Sequence, residues 1–177
     1  MKILSSVKKG DSVLLLENAK NYQTDNIKII KVLSHKHMKG IYVTVNRTYD
    51  SLMITFKQKK INTDSLYFVD MISRKSAIEP RGEKCIYVNS PESLTGTGIA
   101  LEQMARSISG EKYIYLDSLS TLLTYNPKQV VLKFAHFLAT KSKEWGVVGI
   151  VISLKNQTDE NMLSQLEQFF DKVIIEN

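Results

Sequence analysis

The chain has 177 residues, 43% hydrophobic and 24% charged, with a net charge of +6. That composition excludes a disordered or fibrous protein, and the length suits one domain over residues 1–177 with a sizeable core. No apolar run nears the ~20 residues needed to cross a bilayer and Met1 to Lys9 offers no secretory stretch, so the expected location is the cytoplasm.

The positive charge sits in one half. Residues 1–88 carry 16 Lys/Arg against 8 Asp/Glu, and residues 89–177 carry 8 against 10. A basic half can attract nucleic acid or an acidic partner, but these lysines alternate with apolar positions and no recognition motif accompanies them, so a solvated surface is the plainer reading.

In chain order, runs rich in Val, Ile, Leu and Tyr predict seven strands, at 12–17, 40–45, 65–70, 85–90, 113–117, 147–154 and 172–176. Several are apolar on consecutive positions, as in strands covered on both faces. After the first strand, Thr24 or Asp25 is read as the cap of a helix carrying Ile27, Ile30 and Leu33. Thr48 or Asp50 caps one with Leu52, Met53 and Phe56. Residues 73–84, polar and holding Pro80 and Gly82, read as an exposed loop. A further helix holds Ile99, Met104 and Ile108. Asn126-Pro127 starts another, with Val130, Val131, Phe134, Phe137 and Leu138 on one stripe. The last, capped by Thr158 or Asp159, carries Met162, Leu163, Leu166, Phe169 and Phe170. This alternation predicts an α/β three-layer sandwich around a mostly parallel sheet of about seven strands, with any ligand at the strands' carboxyl ends.

Few residues signal chemistry on their own. Asp117 ends an apolar strand, where a carboxylate can hold magnesium through water or merely cap a turn; Asp70 is read as a turn cap. In "TGTGIA", 95–100, two glycines without a lysine indicate a flexible helix start. His35 and His37 would point to different faces of a helix and make a poor metal pair, and His136 falls opposite Phe134 and Phe137, toward solvent. No metal site is expected beyond Asp117. The single cysteine, Cys85, lies in an apolar run and is read as a buried, inert thiol.

The stretch "YIYLDSLSTLLTYNPKQVVLKFAHFLATKSKEWGVVGIVISL", followed by a helix and "FFDKVIIE", resembles the second half of a KaiC-type domain, a branch of the RecA-like P-loop ATPases. "GIYVTVNRTYDSL" resembles that family's second strand and following turn. The likeness runs from about residue 10 and is strongest from Tyr113 to Val173; the family's "GLD..LGGG" lead-in is missing. It implies a RecA-like fold. It also places "VLLLENAKNYQT" on the strand and Gly-x-x-x-x-Gly-Lys-Thr phosphate loop. Thr24 then takes the hydroxyl position, Gln23 replaces the lysine, and Glu17 and Tyr22 stand where the glycines belong.

Such a loop needs glycine so that backbone N–H groups can turn inward unobstructed, and lysine to neutralise phosphate charge. Lys20 matches neither position. Asn46 and Arg47 occupy the family's paired catalytic glutamates, and neither can act as a carboxylate base; Arg47 is read as facing solvent. Gln23, Thr24, Asp117 and Ser118 remain as a vestigial nucleotide site, with Asp117 the ligand if magnesium is kept. The resemblance therefore implies an inactive interaction or regulatory module with no cofactor, working as a homo-oligomer or with a protein partner. The alternatives are a binder of ATP and magnesium with slow or no turnover, and a nucleic-acid-associated protein using the basic half.

Overall fold

A computed structural model describes residues 7–34, 38–73 and 84–175. All seven predicted strands are present: β1 (Ser12–Glu17), β2 (Lys39–Thr44), β3 (Leu66–Asp70), β4 (Cys85–Tyr87), β5 (Lys112–Asp117), β6 (Val148–Leu154) and β7 (Lys172–Ile175). They form one parallel sheet in the order β4-β3-β2-β5-β6-β1-β7. Among the described residues, six α-helices flank it: α1 (Tyr22–Ser34), α2 (Tyr49–Gln58), α3 (Leu94–Ser107), α4 (Leu119–Tyr125), α5 (Lys128–Trp145) and α6 (Glu160–Phe169). Among the described residues, no helix is long and apolar enough to cross a membrane.

The pleat assigns neighbouring side chains of each central strand to opposite layers. Leu14, Leu16, Ile41, Val43, Ile114 and Leu116 pack toward the core under α3, α4, α5 and α6. Leu15, Tyr42, Tyr113 and Tyr115 point the other way, into the core under α1 and α2. The second core is aromatic: Tyr42 meets Phe56 edge-on at 5.9 Å and Tyr115 at 5.3 Å between ring centroids. Such contacts add specificity to the area they bury.

Several predicted details shift. Helix α1 begins at Tyr22, so Thr24 and Asp25 lie inside its first turn instead of capping it. Thr48 and Asp159 do cap α2 and α6, each accepting a backbone N–H three residues on. Residues 95–100 belong to α3 itself, where Gly98 lets the helix approach Phe137; a Cβ there would sit 3.2 Å from the ring. Ile99 and Val130, two of the apolar positions that marked their helices, are 64% and 41% exposed. Gly146 closes α5 in the left-handed conformation, at φ 61°. Cys85 is buried, and burial pushes its thiol up to about 12, as expected of an inert cysteine. His136 is exposed and lies against the Phe169 ring. His35, His37 and most of the 73–84 loop fall outside the described residues.

At Gly40 the sheet leaves no room for a side chain. A Cβ there would fall on the buried Tyr113 ring and within 2.7 Å of Leu66 Cδ2. Gly40→Ala is expected to destabilise the fold by ~1–3 kcal/mol through overpacking, read as a lower urea midpoint at unchanged m-value.

Candidate functional site

Where the chain leaves β1 for α1 it must later cross over β6 and β5 to reach β2, which opens a crevice at the carboxyl ends of β1, β2 and β5. The connection from β1 to α1 is a short closed turn. The Asn18 carbonyl accepts from both Asn21 N–H (3.0 Å) and Tyr22 N–H (3.1 Å), and its side-chain oxygen accepts from Lys20 N–H (3.1 Å). The Asn21 carbonyl takes Asp25 N–H at 2.9 Å, which begins the helix. Glu17, just before this turn, is buried.

Asp117 lies at the centre of the crevice, 3% exposed. Its Oδ2 accepts from the Tyr42 hydroxyl and from Asn26 Nδ2 (2.9 Å), and its Oδ1 from Asn46 Nδ2 (3.3 Å). Asn26 is held in turn by Tyr115, whose hydroxyl donates to Asn26 Oδ1 at 2.7 Å. Asn46 also donates to the Tyr22 hydroxyl at 2.8 Å and accepts from Thr121 Oγ1. One carboxyl thus joins β5, β2, α1, the turn after β2 and, through Asn46, α4. Burial, with the charge of Glu17 as a second cause, raises its pKa from 3.8 to about 8.

The other candidate residues separate. Gln23 and Thr24 are exposed on the first turn of α1 and line a cleft of about 480 Å³ between α1 and α2, which Asp117 also reaches. Ser118 is fully buried and caps α4, accepting from Thr121 N–H at 3.4 Å; the Asp117–Ser118 peptide is cis. Arg47 departs from the solvent-facing expectation. It is half-buried and folds over α2, where its Nη2 donates to the Ser51 carbonyl (3.2 Å), Ser51 Oγ (2.9 Å) and Thr55 Oγ1 (2.6 Å). Asp70 is a turn and helix cap, as expected, accepting from the N–H groups of Tyr49, Ile72 and Ser73 at 2.7–2.9 Å.

The profile of a family of unknown function (DUF7504) matches residues 30–175, most of the chain. The chain belongs to this family. No curated protein matches it. Among solved structures, the DUF7504 chain is similar to a KaiC-like protein from the hyperthermophilic archaeon Pyrococcus horikoshii, at 16% identity and a TM-score of 0.64, covering 94% of this chain and 71% of the other. The flagellar accessory protein FlaH from Methanocaldococcus jannaschii is similar at 9% identity and a TM-score of 0.67, over 98% and 74%. An uncharacterized P. horikoshii protein in complex with an unknown peptide gives 13% identity and a TM-score of 0.72, over 97% and 79%. At these identities the likeness establishes the fold: this DUF7504 chain has the α/β architecture of KaiC-like, RecA-like ATPase domains.

Sequence reasoning missed Asn26, Tyr42, Tyr115 and Thr121. Only the placing of Tyr42 and Tyr115 on the same strand face as Asp117 hinted at them, and nothing in the linear order brings Asn26 to residue 117.

The raised pKa of Asp117 sets a pH dependence. The folded chain keeps a proton that the unfolded chain releases above 3.8, so this contribution to stability is complete at low pH and is lost as pH rises through about 8. Asp117→Asn removes it. The stability difference, wild type minus variant, should fall between pH 5 and 8 by up to ~1.4 kcal/mol per pH unit in urea denaturation; parallel curves would contradict the assignment.

Proposed function

We propose that this DUF7504 chain is a KaiC/RecA-like domain without ATPase activity that serves as a protein-interaction or regulatory module. The observation that carries this reading is the closed Asn18 turn. A phosphate loop wraps a triphosphate by presenting successive N–H groups to it, and here Asn18 takes up the N–H groups of Asn21 and Tyr22. Tyr22 reaches across to Asn46, which stands where the resemblance puts a catalytic glutamate.

The residues at the crevice do not fit magnesium and ATP held in that manner. Gln23 supplies no charge to the terminal phosphates. Asp117 is buried, and both its oxygens are engaged by protein donors. Ser118 is committed to a helix cap. The slow ATP binder is the weaker reading for these reasons.

An interaction role draws support from the groove between α3 and α5, where Ile99 and Val130 are exposed beside Leu94, Phe134 and Phe137. Apolar surface of this kind costs solubility unless a partner covers it. The similar P. horikoshii protein with a bound peptide offers a precedent on the same fold. For the basic half, a gel shift lost on adding salt is the signature that would revive nucleic-acid binding.

Calorimetry with ATP and magnesium, paired with a phosphate-release assay, tests the first half of the proposal. The expected outcome is no magnesium-dependent heat and no release above that of Asp117→Ala. Binding that disappears in Asp117→Ala or Thr24→Ala would refute it. Sedimentation of the chain, alone and mixed with an active KaiC-type ATPase, tests the second half: a complex is expected, weakened by Ile99→Glu, whereas monomers in both experiments would exclude these partners.

A further inference from the structure

The fold sorts the positive charge of the chain onto one edge. In a parallel sheet every strand starts on the same side, and the helices that return the chain end there too, so this amino edge lies opposite the crevice. Six lysines stand at or just before the strand starts: Lys8 and Lys9 at β1, Lys39 at β2, Lys84 at β4, Lys112 at β5 and Lys172 at β7. Six more cations close the helices: Lys31 in α1, Lys57 in α2 with Lys59 and Lys60 beyond it, Arg106 in α3 and Lys143 in α5. Against these twelve the same segments hold six carboxylates, Asp11, Asp64, Glu111, Glu144, Glu167 and Asp171. The other described residues carry seven Lys/Arg and nine Asp/Glu, so the molecule is basic at its amino edge and acidic elsewhere.

Few of these cations are neutralised in place. Lys172 pairs with Asp11 at 2.6 Å, Lys143 with Asp171 at 2.7 Å and Arg106 with Glu102 at 2.7 Å. Apart from Lys31, the others make no ion pair among the described residues. Lys39 and Lys112 are register partners on β2 and β5, where like charges repel. Lys112 also lines, with Lys8 and Lys9, a depression of about 520 Å³ in which Glu111 is the one lining carboxylate. Crowding of this kind opposes the compact state, and a polyanion laid on the edge relieves it.

The layout selects the polyanion. From Lys84 to Lys172 the strand starts span six strand spacings, about 29 Å. The helix ends widen the charge to both sides, Lys57 in the layer of α1 and α2, Arg106 and Lys143 in the layer of α3 and α5. A face charged in two dimensions matches a planar target, whereas a nucleic-acid duplex is met along a stripe or in a groove. Eleven of the twelve cations are lysines, mobile point charges suited to a diffuse field of headgroups; the arginine fork, which grips single phosphates and base edges, is used once.

We propose that the amino edge docks on an anionic lipid bilayer, lysines to the headgroups, with the crevice at the opposite edge facing away. The contact is electrostatic and lies on the surface. It needs no membrane-crossing helix and is independent of the groove between α3 and α5.

The test is cosedimentation of the full chain with phosphatidylcholine vesicles, with and without phosphatidylserine, at physiological and at high salt. The chain should pellet with the phosphatidylserine vesicles alone and be released by high salt, which shortens the reach of each charge. Lys8→Gln and Lys57→Gln, both exposed and outside any ion pair among the described residues, should each weaken binding about fivefold. Lys20→Gln and Lys133→Gln, equally exposed but away from this edge, should leave it unchanged, as should Ile99→Glu in the groove. No pelleting with phosphatidylserine, equal pelleting with neutral vesicles, or an equal loss in Lys20→Gln and Lys133→Gln would overturn the proposal. Duplex DNA bound at physiological salt more tightly than vesicles of equal anion concentration, and released by the same two edge variants, would overturn it in favour of nucleic acid. Loss of the protein complex in Ile99→Glu with vesicle binding kept would show the two surfaces to be separate, as proposed.

Discussion

A buried carboxyl at the end of the central strand organises this protein. Asp117 receives hydrogen bonds from Tyr42 on β2, Asn26 on α1 and Asn46 in the turn after β2. These segments are far apart in sequence, and their only common meeting place is the carboxyl edge where the chain order reverses. A polar group without water must be satisfied locally, so each donor is held in position by the cost of leaving the carboxyl bare. The result is a rigid polar knot at the crevice, set on an apolar sheet.

The aromatic layer beneath α1 and α2 makes the knot possible. Tyr42, Tyr113 and Tyr115 are all fully buried on that face. Two of them carry hydroxyls into the network, Tyr42 to Asp117 and Tyr115 to Asn26. Tyrosine suits this task because its ring packs as core while its hydroxyl reaches a polar partner. Burial holds the Tyr115 phenol well above its ordinary value, so its hydroxyl stays neutral and can donate.

The short turn after Glu17 and the open cleft beside it follow from the same geometry. Asn18 closes the turn through its own carbonyl and side chain, which brings α1 in directly at Tyr22. Helix α2, capped by Thr48 and by Asp70 reaching over from β3, starts across from it. The gap between the two helices carries Arg47 and Lys59 on the α2 side.

The linear pattern alone determined the architecture. Seven consecutive or alternating apolar runs, spaced by helical stripes, leave a parallel sheet between two helical layers as the arrangement that buries them. Thr48 and Asp159 were legible as caps because capping is local, a side chain meeting an N–H three residues on. The residue types at the β1–α1 join, Glu17, Tyr22 and Gln23, were likewise visible as bulky and uncharged or acidic. Tertiary structure alone decided the rest. Arg47 looks like a surface charge until α2 supplies Ser51 and Thr55 to receive it, and Ile99 and Val130 look like core until α3 and α5 turn them outward. Asn26 is 91 residues from Asp117, and only the crossover from β1 to β2 brings them together. Periodicity reports which face of an element is apolar; what that face meets, and which polar groups share a buried point, depends on long-range packing that no local window contains.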